Sequence, residues 1–245
     1  EAGMKTQKPC VGILTSGGDC PGLNAVIRAA VLASERLGYS CIGFLRGYEG
    51  LVDPVEYMPL TPANTNGILT TGGTILGSTN RGQFSATVGE NNRLSIDRGL
   101  LGRVARTVHQ LGLSGLICIG GDGSLAIADQ FHQFGIPVVG VPKTIDNDLG
   151  ATAFTFGFDS AVSAATDALD RLRTTAASHE RIMVLEVMGR HAGWIALHAG
   201  LAGGADVILI PEISWDFDAI CQKIMNRESV GRRHTLIVVA EGATL

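Results

Sequence analysis

Residues 141–148 read V-P-K-T-I-D-N-D and bring a lysine, a threonine, an amide and two carboxylates together. The apolar run that delivers them, G-I-P-V-V-G-V at 135–141, reads as a buried strand, and the carboxyl ends of such strands are where α/β proteins put their chemistry. Pro142 fixes the exit angle of the chain. The alternation of Asp146 and Asp148 can aim one carboxylate at a substrate and the other at a metal ion. The same residue types also build capping and turn clusters, and the rest of the chain decides between the two readings.

Two other strand ends repeat one device. The run P-C-V-G-I-L-T (9–15) breaks into S-G-G-D-C-P-G (16–22) and then into apolar residues at helical spacing (23–37). The run G-L-I-C-I (115–119) opens into G-G-D-G-S (120–124) ahead of a helix expected over 125–134. Glycines at such a turn let backbone N–H groups face an anion, and the helix N-terminus adds its partial positive charge. Neither loop has G-x-G-x-x-G spacing or a following Lys-Ser/Thr pair, which disfavours a dinucleotide fold and a Walker-type loop. A third glycine-rich turn, T-T-G-G-T-I-L-G-S (70–78), has Arg81 close enough to join the same anion site. Two G-G-D loops supply N–H donors for polyphosphate oxygens and a carboxylate for a hydrated magnesium ion. With the Asp146/Asp148 cluster they form a constellation that chance turns do not explain.

The elements that must position these loops are legible from patterning. Short β-branched apolar runs at 9–15, 40–45, 115–119, 135–141, 182–187, 207–210 and 235–240 alternate with helical periodicity at 23–37, around 101–111, at 125–134, from 158 to about 175, and near 216–227. That alternation predicts right-handed crossovers and a layered α/β architecture in two domains, with 142–150 as the joint. The polar stretch 83–98 reads as a surface loop. Glu1-Ala2-Gly3 ahead of Met4 resemble an appended segment outside the fold. In 245 residues, 45% hydrophobic content supplies the core, and 33 glycines with only 17% charged residues suit tight strand-to-helix turns. A net charge of -4 leaves no basic footprint for nucleic acid. Five scattered cysteines indicate neither a disulfide framework nor a zinc site and point to a reducing cytoplasm, and no apolar run is long enough for a membrane span.

The loops at 15–24 (T-S-G-G-D-C-P-G-L-N), 120–124 (G-G-D-G-S), 142–148 (P-K-T-I-D-N-D), 178–182 (S-H-E-R-I) and 188–190 (M-G-R), in this order and at these separations, resemble the 6-phosphofructokinase family over nearly the whole chain. The resemblance implies an α/β fold of two doubly wound three-layer domains. A phosphoryl-donor domain is expected over 4–141. A fructose 6-phosphate domain is expected over 142–245, truncated before the family's further sugar-phosphate ligands. It implies Mg-dependent transfer of the ATP γ-phosphoryl group to the 1-hydroxyl of fructose 6-phosphate in glycolysis. Carried over by position, Asp146 is the general base, and Thr144 and Arg190 contact the transferring phosphoryl group. Asp122 and Asp148 hold magnesium, and Thr144, Asp146 and Asp148 also border the bound substrate. Gly17, Gly18, Arg81, Gly123, Ser124 and Lys143 line the donor phosphates, with Tyr48 near the nucleoside unless it only packs. Met188, Gly189, Arg190 and Glu241 address the sugar, and Arg181 reaches the 6-phosphate in a neighbouring subunit, which implies a homodimer or homotetramer with shared sites.

Two positions mix the family's donor signatures. A glycine at 123 goes with ATP, because an acidic side chain there intrudes on the α-phosphate, whereas lysine at 143 goes with pyrophosphate. The steric point favours ATP, with pyrophosphate as the alternative donor. Arg28 is present but Leu32 stands where the family's effector site uses a second basic residue, so effector control of that type is not expected. The competing readings are a distant G-G-D-G kinase acting on NAD or lipid, and a non-catalytic nucleotide-binding fragment or regulatory subunit.

Overall fold

The computed structural model describes residues 8–79, 82–84, 87, 88, 94–150 and 152–244. In chain order its elements are β1 (Cys10–Thr15), α1 (Leu23–Arg36), β2 (Ser40–Phe44), β3 (Tyr57–Leu60), β4 (Thr87–Val88), β5 (Leu94–Ser95), α2 (Arg98–Gln110), β6 (Leu113–Gly120), α3 (Asp122–Gln133) and β7 (Val138–Thr144). They continue with β8 (Phe156–Gly157), α4 (Phe158–His179), β9 (Ile182–Val187), α5 (Trp194–Ala202), β10 (Val207–Leu209), α6 (Phe217–Ser229) and β11 (Thr235–Ala240). The chain divides into two compact units, one ending at Lys143 and the other beginning at Thr144. That break falls two residues beyond the expected boundary at 141.

In the first unit the strand order is β3-β2-β1-β6-β7. β1 pairs in parallel with both β2 and β6, β6 pairs in parallel with β7, and only the edge strand β3 runs antiparallel. Ile13 and Leu14, neighbours on opposite faces of β1, are both 0% exposed, so the sheet is covered on both sides, as a parallel sheet requires. One face carries a core of Leu14, Phe44, Leu116 and Cys118 packed on Leu100, Val104 and Val108 of α2 and on Ile127 and Phe131 of α3. Gly12 sits where β1 is most crowded. A Cβ there would lie 2.6 Å from Phe44 Cε2 and 2.7 Å from Leu116 Cδ2. Gly12→Ala is therefore expected to destabilise the fold by about 1–3 kcal/mol through overpacking, read as a lower urea midpoint at unchanged m-value.

In the second unit β9, β11 and β10 form an all-parallel sheet in the order β10-β11-β9. Leu236, Val238 and Ala240 of β11 pack on Leu169 and Ala176 of α4 and Ala196 of α5. β9 alternates, and its outward residues Ile182 and Val184 are 49% and 59% exposed. The helix layer over that face expected of a three-layer domain is incomplete there among the described residues, and α6 buries none of its residues.

Several boundaries move for local reasons. α3 begins at Asp122, before the expected 125, because Leu125 N–H bonds the Gly121 carbonyl at 2.9 Å and closes the first turn over the loop itself. β7 begins at Val138, after the expected 135, because Gly135, with φ at +92°, and Ile136 finish α3 by donating to His132 and Phe131 carbonyls. α4 runs past Thr175 to His179 and closes on a left-handed Glu180. α5, which periodicity did not reveal, follows the M-G-R turn. Asp97 caps α2 by accepting from Leu100 N–H at 3.0 Å, so the end of the polar stretch 83–98 is a helix start.

Candidate functional site

The first unit builds an anion cradle from two strand ends. β1 ends on a buried Thr15 whose Oγ1 bonds the Gly77 carbonyl at 3.0 Å, and Ser16 N–H reaches the Ile119 carbonyl at 2.9 Å. The loops after β1 and β6 are thus tied side by side. Asn24 on α1 clamps the third glycine turn, donating to the Thr71 carbonyl and accepting from Ile75 N–H. Gly17 is left-handed at φ +86°, and a Cβ on it would meet Ser124 Oγ at 3.1 Å. A Cβ on Gly120 would meet Ser124 Oγ at 2.7 Å and the Ser16 carbonyl at 3.0 Å. Ser124, 7% exposed, is wedged between two glycine loops that can approach only because they are glycine.

Around this wedge the surface is open. Gly18, Asp122 and Gly123 are exposed, and a Cβ on Gly18 or Gly123 would have nothing within 4 Å. Asp122, Gly123 and Ser124 form the first turn of α3, so their N–H groups lack intrahelical partners and point the helix's positive end outward. An exposed carboxylate beside such a turn suits magnesium, which takes one or two carboxylates together with phosphate oxygens and water. Among the described residues no group of three or more His, Cys, Asp or Glu forms a protein-only metal cage.

Lys143 and Tyr48 differ from the expectation of donor contacts. Lys143 is 4% exposed and its Nζ donates to the Gly18 carbonyl, so the ammonium holds the first glycine loop from behind. Tyr48 is 2% exposed, packed against Phe84 and Phe131, and its hydroxyl donates to the Ser124 carbonyl at 2.6 Å. Burial drives its phenol pKa far upward, so it stays a neutral donor. Of the two readings of Tyr48, packing is the one its environment fits. In the glycine loop after β1, burial pushes the Cys20 thiol up to about 11 against the pull of the Lys143 charge. Arg81 lies outside the described residues.

The second unit holds the carboxylate cluster. Thr144 Oγ1 accepts from Asp146 N–H at 3.2 Å, and the Thr144 carbonyl accepts from Thr155 Oγ1 at 2.6 Å. Asn147, left-handed at φ +52°, accepts from Thr155 N–H at 2.9 Å and donates to the Ala153 carbonyl at 3.2 Å. These bonds fix the turn that presents Asp146. Its Oδ1 is buried without a hydrogen-bond partner among the described residues. Burial raises the Asp146 pKa first, the Asp148 and Glu241 charges raise it further, and His191 opposes them. Asp148 itself is exposed.

The adjacent carboxyl ends of the parallel strands β9 and β11 supply the rest. Glu241 N–H bonds the Val187 carbonyl at 2.9 Å and Gly242 N–H bonds the Gly189 carbonyl at 3.1 Å, so Glu241 lies beside the M-G-R turn. Gly189 is buried at φ +135°, whereas Met188, Arg190 and Arg181 are exposed. Gly242 is a positioning residue that motif reading passed over. A Cβ on it would overlap the Arg190 carbonyl oxygen and stand 2.6 Å from the carbonyl carbon. The only sequence signal for it is its place directly after Glu241.

Comparisons with known proteins find relatives over nearly the whole chain. The chain matches the phosphofructokinase family model, described as "Phosphofructokinase", over residues 10–245. It is 55% identical over 240 residues to an ATP-dependent 6-phosphofructokinase of Chloroflexus aurantiacus, covering 98% of this chain and 67% of that relative. It is 50% identical over 235 residues to a pyrophosphate–fructose 6-phosphate 1-phosphotransferase of Streptomyces coelicolor, covering 95% and 65%. The fold superposes on phosphofructokinase from Saccharomyces cerevisiae with a TM-score of 0.85 at 34% identity, over 96% of this chain and 34% of that one. The chain thus spans about two thirds of the length of the curated relatives it matches and a smaller part of the yeast protein. From the family match and these identities, the chain belongs to the phosphofructokinase family.

Proposed function

We propose that the chain carries the donor and acceptor residues of an ATP-dependent 6-phosphofructokinase. It would transfer the γ-phosphoryl group of ATP, with Mg2+, to the 1-hydroxyl of fructose 6-phosphate, in the cytoplasm and as a step of glycolysis. The observation that carries this reading is Asp146 Oδ1, an acceptor buried without a partner in a fixed turn. In phosphoryl transfer the O1–P bond forms as the bond from phosphorus to the ADP oxygen breaks, and the hydroxyl proton becomes acidic along that path. Asp146 takes that proton. Its raised pKa brings it nearer the working pH of a general base.

The first unit holds the donor. Free N–H groups at the start of α3 and the glycine loop after β1 bind the phosphate oxygens, and Asp122 would hold magnesium, which would neutralise phosphate charge when bound. Asp148 is a second candidate ligand. Lys143 acts on the donor through Gly18, whose loop it braces. In the second unit Thr144 and Arg190 address the transferring group, and Met188, Gly189 and Glu241 address the sugar. Exposed Arg181 is free in position to reach a second copy, in keeping with a homodimer or homotetramer. Among the described residues no helix is long and apolar enough to cross a membrane.

ATP is favoured over pyrophosphate because Gly123 borders open space. Gly123→Asp puts a carboxylate there without a clash, and an acidic residue in a first helical turn adds about 0.3–1 kcal/mol to the helix. Initial rates with ATP and with pyrophosphate test the assignment. Wild type is expected to use ATP, and Gly123→Asp to lose about 10²-fold in kcat/KM for ATP through like-charge repulsion, with Tm unchanged or raised. Wild-type turnover with pyrophosphate as efficient as with ATP would contradict the donor assignment.

A further inference from the structure

The second unit contains a pocket of about 580 Å3 whose far wall the motifs do not account for, lined on one side by Asn147, Asp148 and Thr152 and on the other by His191, Ala192 and Trp194. Its volume falls in the range of small-molecule sites, roughly 300–1,000 Å3. The first wall is the fixed turn that carries Asp146. The second is equally fixed. Gly193 N–H bonds Glu212 Oε1 at 2.8 Å, and a Cβ on Gly193 would stand 2.5 Å from Ile210 Cγ2, so this turn is pressed onto the end of the sheet.

Trp194 opens α5 from that turn. Its ring meets His198 at 6.0 Å and 64°, and His198 meets Phe158 at 5.3 Å and 80°. The indole is braced from behind while 41% of the residue remains exposed. A rigid, half-exposed aromatic bordering a pocket that also carries the Asp148 carboxylate, the Asn147 amide and the Thr152 hydroxyl is suited to a ligand with one apolar C–H face and several hydroxyls. The Asp148 carboxylate accepts hydroxyl hydrogens and repels a phosphate, so a sugar phosphate would turn its hydroxyl-bearing carbons toward this pocket. His191, on the same turn as Arg190, offers a ring N–H where the wall meets the rim.

We propose that Trp194 and His191 form an aromatic wall of the acceptor site, against which the carbon skeleton of the sugar phosphate packs. The inference rests on the acceptor reading given above. Two tryptophans are present, Trp194 and Trp215, and Trp215 Nε1 is buried without a partner among the described residues, so Trp215→Phe removes no hydrogen bond seen there. In the Trp215→Phe protein, fructose 6-phosphate is expected to change Trp194 emission with the same midpoint that calorimetry gives. In the otherwise wild-type chain, Trp194→Ala is expected to raise Kd and KM for fructose 6-phosphate about tenfold with kcat little changed, and Trp194→Phe to restore most of the loss. Calorimetric binding with no emission change, and a Kd insensitive to Trp194→Ala, would overturn the inference and leave the acceptor reading intact. An emission change driven by ATP in place of the sugar phosphate would overturn it in favour of base stacking. Absence of fructose 6-phosphate binding to wild type by calorimetry would remove the acceptor reading and the wall with it.

Discussion

Asp146→Asn is expected to lower kcat by about 10²–10⁴-fold while making the ligand-free protein more stable. The first effect follows from the loss of the buried, unpartnered acceptor that the fixed turn after Thr144 presents. The second follows from the electrostatics of the site. Burial and the charges of Asp148 and Glu241 all oppose ionisation of Asp146, and His191 offsets them only in part. The folded pKa therefore lies above the unfolded one. Between the two values the folded state keeps a proton that the unfolded chain has released, so wild-type stability falls as pH rises through that window. The asparagine protein does not share that loss. The Tm difference between variant and wild type is expected to widen from about pH 4 to about pH 7, measured in parallel thermal melts without ligand. A gap that shrinks with rising pH would mean that Asp146 is not held against its charge.

Gly242→Ala is expected to lower kcat/KM for fructose 6-phosphate by about 10²-fold, because a displacement of roughly 1 Å at a positioning group is sufficient for such a loss. The added methyl meets backbone at Arg190, which no side-chain rotation relieves. It must drive the M-G-R turn away from Glu241 and break the bond from Gly242 N–H to Gly189. The donor loops belong to the other compact unit, so ATP affinity by calorimetry is expected to stay at the wild-type value. Loss of ATP binding along with turnover would show general misfolding and not a misplaced arginine.

The contrast between these residues shows what a sequence can carry. Asp146 stands out in one dimension because a strand, a proline and alternating carboxylates mark a strand-end turn, and the structure presents it on such a turn. The parallel sheets were legible for a related reason, since runs such as 116–119 and 236–240 are apolar on both faces. Gly242 was not, because its importance lies in the Arg190 carbonyl of the turn after β9, which only the folded chain brings close. Tyr48 shows the opposite failure. An aromatic in a glycine-flanked turn looks available to a ligand, yet the ring completes a cluster with Phe84 and Phe131 that are distant in sequence. Lys143 likewise reads as a phosphate ligand from its neighbours in the motif, whereas its partner is a main-chain oxygen of residue 18. The start of α3 at Asp122 was hidden because Gly120, Gly121 and Gly123 carry low helix propensity, and it is the closed turn onto Gly121 that overrides it.

The most direct test is formation of fructose 1,6-bisphosphate from fructose 6-phosphate, ATP and Mg2+, followed by a coupled assay for wild type and Asp146→Asn, on this chain and on one continued to the length of its relatives. The account predicts ATP-dependent product from wild type and its loss in Asp146→Asn with fructose 6-phosphate still bound. Product formed equally well by Asp146→Asn, or no product from wild type at either length, would contradict it.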